Sequence, residues 1–307
     1  MNILKRLKNI YSYGGIAEVF RKSVFFIIYS TANYFTFKKV LHSKISYGLN
    51  TEKRKDHIVV SLTSFPLRFG KITICLKSLL LQELHPDKII VYFGNDTKRT
   101  DITEEMHELE KYGIEYRFDS SDNLMPHGKY FYAMKDYPDS IIVTADDDVV
   151  YPRNWLKSLY DSYKQYPNAV SARRVHQIIV HNNAVIPYNS WKDQCRSITS
   201  PSHQLLATGT SGVLYPPKCF DDEVFNVKVI KDICLRADDL WLKCMEIRDD
   251  IPVVWVKNWE VALTELESTM NQKLSTDNVL NCRNDEILNK LLEYYHISAT
   301  KFRNEMR

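Results

Sequence analysis

The feature that most limits how this chain can fold is a short apolar run that ends in three acids, Ile141-Ile142-Val143-Thr144-Ala145-Asp146-Asp147-Asp148. Four consecutive apolar or β-branched residues predict a strand buried on both faces. Three adjacent carboxylates repel one another unless positive charge sits among them. On an extended chain Asp146 and Asp148 point one way and Asp147 the other. The spacing therefore offers one carboxylate pair to a divalent cation with oxygen ligands and leaves Asp147 for a different partner. The competing reading is an acidic turn capping the helix after Pro152. Asp148 lies too far upstream of that proline to serve it.

The segments around this run alternate. Residues 57–62, 88–93 and 114–118 read as strands, with 141–145 as the central one. Between the first two, Ile72, Leu76, Leu79 and Leu80 recur at helical spacing. Ile102 to Tyr112 predicts a short acidic helix, and another runs from the Met125–Tyr130 stretch to about Lys135. A helix to Tyr166 and a strand from Ala169 to Val175 follow. Strand alternating with helix predicts an α/β fold, a mostly parallel sheet sandwiched by helices. In open sheets of this kind ligands sit beyond the carboxyl ends of the strands. Those ends carry Thr63, Ser64, Arg68, Asp96 and the three aspartates. They supply hydroxyls and a carboxylate for a base and ribose, and a metal for a diphosphate. Neither GxGxxG nor GxxxxGK[ST] occurs, so the dinucleotide fold and the P-loop are not offered.

The order of these pieces resembles the GT-A-fold, Rossmann-like glycosyltransferases: a strand, the TSFPLR loop, a helix, a strand followed by Asp96, Gly128-Lys129 opening a helix, then a strand ending in DxD. It is most similar to the bacterial family 2-like enzymes that build surface polysaccharides, over about residues 57 to 290. The resemblance implies Mn²⁺ or Mg²⁺ on Asp146 and Asp148, bridging the diphosphate of a nucleotide-sugar, UDP-linked in the simplest case. It implies nucleoside contacts from Thr63, Arg68 and Asp96, and it turns Lys129 toward the nucleotide. Ser64 and Asp147 complete the expected donor-side set.

Two later segments carry the expected acceptor side. Thr208-Gly209-Thr210-Ser211-Gly212 places two glycines where backbone can approach a ligand closely. It resembles the acceptor-side glycine loop of the same enzymes. In Tyr188-Asn189-Ser190-Trp191, the Trp191 ring is the candidate stacking face for a sugar. Asp238 and Asp239 open an apolar helical run. Capping accounts for one acid there, not two. The resemblance makes an acid at this place the general base of an inverting transfer, and Asp239 is assigned that role with Asp238 as its neighbour. Two adjacent carboxylates push one pKa up, which suits a base working near neutral pH. The late His that many such enzymes use on the metal is missing from 260–285; Glu265, Asn284 and Asp285 are the remaining candidates there.

Charge divides the chain. Residues 1–55 carry 11 Lys+Arg against 2 Asp+Glu, whereas 56–307 carry 30 against 36. The first segment is thus a basic, aromatic-rich arm suited to the headgroups of an anionic leaflet or to a partner. Residues 56–307 form the catalytic body, with 56–150 as the nucleotide-binding half and 151–307 as the acceptor-binding half. An acidic body argues against a nucleic-acid partner. The six cysteines form no CxxC pair and read as reduced, buried residues of a cytoplasmic protein, peripheral at the inner face of the membrane. The expected partners are a nucleotide-sugar donor, a saccharide or lipid-linked saccharide acceptor, and a membrane surface met by residues 1–55. The alternatives are a sugar nucleotidyltransferase and a non-catalytic carbohydrate- or membrane-binding assembly protein. TSFPLRFGK has a single glycine, against the first, and a metal at a strand end has no use in the second.

Overall fold

The structure, a computed structural model, describes residues 20, 23–24, 31, 34–118, 122–258, 264–265 (backbone alone) and 283–303. A helix, α1, spans 34–42. The body opens with β1 (Ile58–Ser64), α2 (Phe69–Leu80), β2 (Lys88–Phe93), α3 (Glu104–Glu110) and β3 (Ile114–Arg117). Next come α4 (Gly128–Asp136), β4 (Ile141–Thr144), β5 (Val149–Val150), α5 (Trp155–Gln165), β6 (Val170–Ala172) and β7 (Val175–Gln177). The small strands β8 (Val180–His181), β9 (Ala184–Val185), β10 (Leu205–Ala207) and β11 (Val213–Tyr215) lead to α6 (Val227–Val229) and α7 (Asp238–Arg248). The chain closes with β12 (Val253–Trp255), β13 (Thr264–Glu265) and α8 (Arg283–Tyr294).

Seven of these strands form one sheet in the order β12-β6-β11-β4-β1-β2-β3. All neighbours run parallel except β11, which is antiparallel to both β4 and β6. The central strands are apolar because helices cover both faces: Ile58, Val59, Val60 and Leu62 of β1 are buried, as is all of β4. The expected α/β sandwich is therefore present. The strand expected over 169–175 is instead two strands. The chain breaks at Arg173-Arg174, where the Arg173 guanidinium is buried and donates to Ser158 Oγ (3.2 Å). Beyond the break, β7 leaves the main sheet and pairs antiparallel with β10.

Two features of this topology build the site. The register Ser61↔Thr144 carries β1 and β4 to their ends side by side, so Thr63-Ser64 and Asp146–Asp148 share one rim. The reversed strand β11 starts at that same rim, with Val213 opposite Thr144, and brings the loop before it there too. Gly212 in that loop has φ +89, and a Cβ on it would lie 2.4 Å from Trp155 Nε1, so only glycine fits. In α1, Phe37 and Val40 pack on the core of the first strands, while Tyr34 and Phe35 are exposed. Cys75, Cys195, Cys234 and Cys244 are buried and free, and Cys219 is half-buried; Cys282 lies outside the described residues.

Candidate functional site

The backbone of Asp146 is clamped before its side chain does anything. Its amide donates to Tyr151 Oη (2.8 Å), and its carbonyl accepts from Cys75 Sγ (3.3 Å). Asp147 and Asp148 lie in the turn between β4 and β5, not on the extended chain expected, and the turn sends the three carboxylates to different places. Asp147 turns inward and is 4% exposed. Ser64 Oγ donates to it at 2.5 Å, and Arg68 forms an ion pair with it. Burial pushes this carboxyl up, with Arg68 and Ser64 pulling the other way. Arg68 also reaches Asp148 Oδ2 at 3.2 Å. Burial weakens the guanidinium, but Asp147 and Asp148 outweigh burial and hold its pKa above the ordinary value.

Lys129 ties this rim to the other side of the cleft. It lies in the first turn of α4, and its Nζ sits 3.0 Å from Asp146 Oδ1 and 2.9 Å from Asp238 Oδ2. Burial alone would discharge the ammonium. Asp146, Asp238 and Asp239 reverse that and hold it well above the ordinary lysine value. Asp238 is lowered although burial opposes this, because Lys129 and the buried ring of His127 stand beside it. That ring is locked between Tyr130 Oη and the Cys234 carbonyl, each at 2.9 Å.

Asp239 behaves in the opposite sense. It is pushed up to about 8 by burial first, then by Asp238, with Asp146 adding to the push. The Gly209 amide donates to its carboxylate. Gly209 is pressed between the two groups: a Cβ there would stand 2.6 Å from Lys129 Nζ and 3.6 Å from Asp239 Oδ1. The loop thus needs glycine for close approach, as its sequence suggested, although what it approaches directly is the lysine.

Several expected site residues take other places. Ser64 and Asp147 are buried: Ser64 bonds Asp147, and Asp147 in turn pairs with Arg68. Trp191 is 7% exposed, and its Nε1 donates to the Ile186 carbonyl (2.8 Å), so the ring is core and not a stacking face. Tyr188, three residues earlier, packs on it (4.7 Å between centroids) and is half-buried. Its phenol is raised by burial and, next, by the charge of Asp239. Thr63 Oγ1 donates to the Tyr92 carbonyl (2.9 Å), and Asp96 is exposed after β2. The Ser211 carbonyl accepts from Trp155 Nε1 (2.8 Å), and Thr210 is half-buried beside it. Asp285 accepts from the Tyr188 amide (2.7 Å), while the Glu265 side chain lies outside the described residues. Sequence reasoning missed His127, whose only signal was its place beside the Gly-Lys pair.

The donor set at the rim suits a hard divalent ion. Asp146 and Asp148 each keep 25% of the side chain open. Among the described residues no third acid, His or Cys completes a protein cage. Two carboxylates with the remaining positions left to phosphate oxygens and water is the usual arrangement for Mg²⁺. The cation would enter beside Arg68 and Lys129.

Residues 68–210 match the model of glycosyl transferase family 2. Asp238 and Asp239 lie beyond the matched segment. No curated protein matches the chain. Among solved structures it is similar to the mannosyltransferase PcManGT from Pyrobaculum calidifontis in complex with GDP-Man and Mn²⁺, at 10% identity, over 88% of this chain and 74% of that one, with a TM-score of 0.46. It is similar to S. aureus TarS 1-349 in complex with UDP, at 15% identity over 78% and 71%, with a TM-score of 0.43. A third is the inositol-1-phosphate CTP transferase from T. maritima, at 12% identity over 79% and 98%, with a TM-score of 0.39.

Proposed function

The protein is a glycosyltransferase, on the family 2 match across residues 68–210, and from that premise we propose that it moves a sugar from a nucleoside-diphosphate sugar to a saccharide hydroxyl with inversion. The observation that carries this reading is Lys129. One ammonium touches Asp146 at the strand end and Asp238 at the helix start, so the two sides of a single displacement meet within its reach.

A divalent cation held by Asp146 and Asp148 would supply charge neutralisation to the leaving diphosphate. Arg68, fixed from behind by Asp147, presents the rest of its guanidinium to the same phosphates. Thr63 and Asp96 border the nucleoside. Asp239 takes the proton of the attacking hydroxyl as that oxygen bonds to the anomeric carbon and the bond to the diphosphate oxygen breaks. Its raised pKa favours holding that proton, and the Gly209 amide orients the receiving carboxylate. Asp238, kept ionised by Lys129, sustains the raised value. The acceptor belongs to bacterial surface glycan synthesis. The basic arm rests on an anionic leaflet through Tyr34 and Phe35 (58% and 65% exposed) beside Lys38. Among the described residues no helix is long and apolar enough to cross a membrane.

The test is a thermal-shift screen of UDP- and GDP-sugars with and without Mn²⁺, paired with nucleotide-release assays. A donor should stabilise the protein only with metal, and Asp148→Asn should lose that shift. Asp239→Asn should keep the shift while kcat falls about a thousandfold. Undiminished turnover in EDTA would remove the metal. A lost shift in Asp239→Asn would move that residue to the donor site. Turnover of a nucleoside triphosphate with a sugar phosphate would replace transfer by nucleotidylation.

A further inference from the structure

One polar assembly beside the cleft has no part in the chemistry above. Asp193 is the most exposed of its members, with 67% of its side chain open, yet it is held from beneath. His176 Nδ1 lies 2.9 Å from its Oδ1, and Arg174 Nη2 lies 3.4 Å from the same oxygen. His176 is itself buried, and its ring stands edge-on to Tyr188 at 6.0 Å. Nδ1 is shared: the Gln194 amide donates to it (3.1 Å), and the same amide also bonds the Asp193 carboxylate. An exposed acid is ordinarily a floppy, solvated group. This one is held on one side by Arg174, His176 and the Gln194 amide, while most of its side chain stays open.

Its connection to the reaction centre is continuous. The Arg174 carbonyl accepts from both the amide (3.1 Å) and the hydroxyl (3.2 Å) of Thr208. Thr208 leads directly into Gly209, which touches Lys129 and Asp239. Tyr188 lies within electrostatic reach of Asp239, Arg174 and Asp193 together. A path of hydrogen bonds and ring contacts therefore runs from the candidate base to Asp193 along one wall.

We propose that Asp193, held by His176 and Arg174, is the acceptor-recognition group, and that with the Tyr188 ring it binds a neutral sugar unit through that sugar's hydroxyls. A fixed carboxylate accepts from sugar hydroxyls, and a half-buried aromatic ring covers a C–H face. A phosphate-bearing acceptor would instead be repelled by the exposed carboxylate of Asp193. The proposal rests on the glycosyltransferase reading and deepens it by naming the acceptor class.

The experiment has two arms on the full chain, with wild type, Asp193→Ala and Asp193→Asn. In the first, saturation-transfer NMR uses methyl β-glucoside, methyl β-galactoside, methyl α-mannoside and glycerol 3-phosphate as probes. In the second, nucleotide release from the donor found above is followed against the same probes. At least one methyl glycoside should give signals that both variants lose. The acceptor KM should rise about tenfold or more while the donor KM moves less than about twofold. Signals from glycerol 3-phosphate alone would overturn the proposal, as would an unchanged acceptor KM in both variants. If no nucleotide-sugar is turned over, the glycosyltransferase reading falls; glycoside signals lost in Asp193→Ala would still uphold the sugar site, and their absence from wild type would end it.

Discussion

Two buried lysines face opposite situations less than one domain apart. Lys129 lies in the cleft, 8% exposed, against Asp146 and Asp238 with Asp239 nearby. Lys243 lies on α7, one turn past Asp239, fully enclosed, 3.1 Å from a single Glu246 that is 1% exposed. Burial works against both charges. In the cleft several carboxylates overcome it and the ammonium stays charged. In the core one carboxylate does not: burial pulls Lys243 down and pushes Glu246 up to about 7. A lone buried ion pair sits near the point of giving up its charges, whereas an ammonium shared by several carboxylates does not, although Asp239 beside it is itself raised to about 8. The cleft is thereby a place of committed charge, which a diphosphate and a proton transfer both require. The core pair contributes packing and a marginal electrostatic gain.

The sharpest way to break this comparison is to remove the committed charge. Lys129→Met leaves Asp146 and Asp238 facing each other without a cation. Stability in urea should fall by about 3 to 5 kcal/mol, the cost of orphaning partly buried charges, and nucleotide release should disappear. Lys129→Arg should not restore it, because Gly209 leaves no room for a guanidinium beside the Nζ position. Full activity in the arginine variant would show that charge alone suffices and that the close glycine contact is incidental.

The core pair should respond less. Glu246→Gln leaves Lys243 able to shed its proton, so the loss should be about 2 kcal/mol, nearer a broken buried hydrogen bond than a stranded charge. Lys243→Met with Glu246→Leu should come within about 1 kcal/mol of wild type or exceed it. A double variant as damaged as Lys129→Met would mean that both lysines are held by the same kind of network.

How much of this was legible in the sequence follows the range of the interactions. The strand before the acids is local and could be read from the chain, but the extended alternation expected over Asp146–Asp148 gives way to a turn, and it is the turn that takes Asp147 inward. Its partners, Ser64 and Arg68, are some eighty residues away and could only be listed as neighbours at strand ends. Tyr188 and Trp191 are three apart on a short turn, and either ring could have faced the cleft. The choice is made by the packing of β7 and β10, which pair across 28 residues or more. Asp193 looked like any exposed acid because His176 reaches it through a separate contact, the antiparallel bridge of Gln177 to Lys192. Lys243 in Leu240-Trp241-Leu242-Lys243-Cys244-Met245 reads as the polar position of an amphipathic helix. It is buried because α7 is covered on all sides, and no local period announces that.

The finest test of the comparison is the pH dependence of stability, where the two sites predict different slopes. Glu246 binds its proton more tightly in the folded chain than its ordinary 4.5, up to about 7. The folded state therefore holds extra protons between those values. The stability Glu246 contributes is full below about pH 4.5 and is lost as pH rises through 7. Between pH 6 and 8 the loss should be about 1 kcal/mol from this residue. Asp239, raised to about 8, adds a slope of the same sign that persists to higher pH. Lys129, held above its ordinary value, adds none in this window. Glu246→Gln should accordingly flatten the slope mainly between pH 6 and 7, and Asp239→Asn should flatten it across the whole range, in urea melts at pH 6, 7 and 8. A slope unchanged by Glu246→Gln would mean that the core pair is as firmly charged as the cleft, and the distinction between the two lysines would be lost.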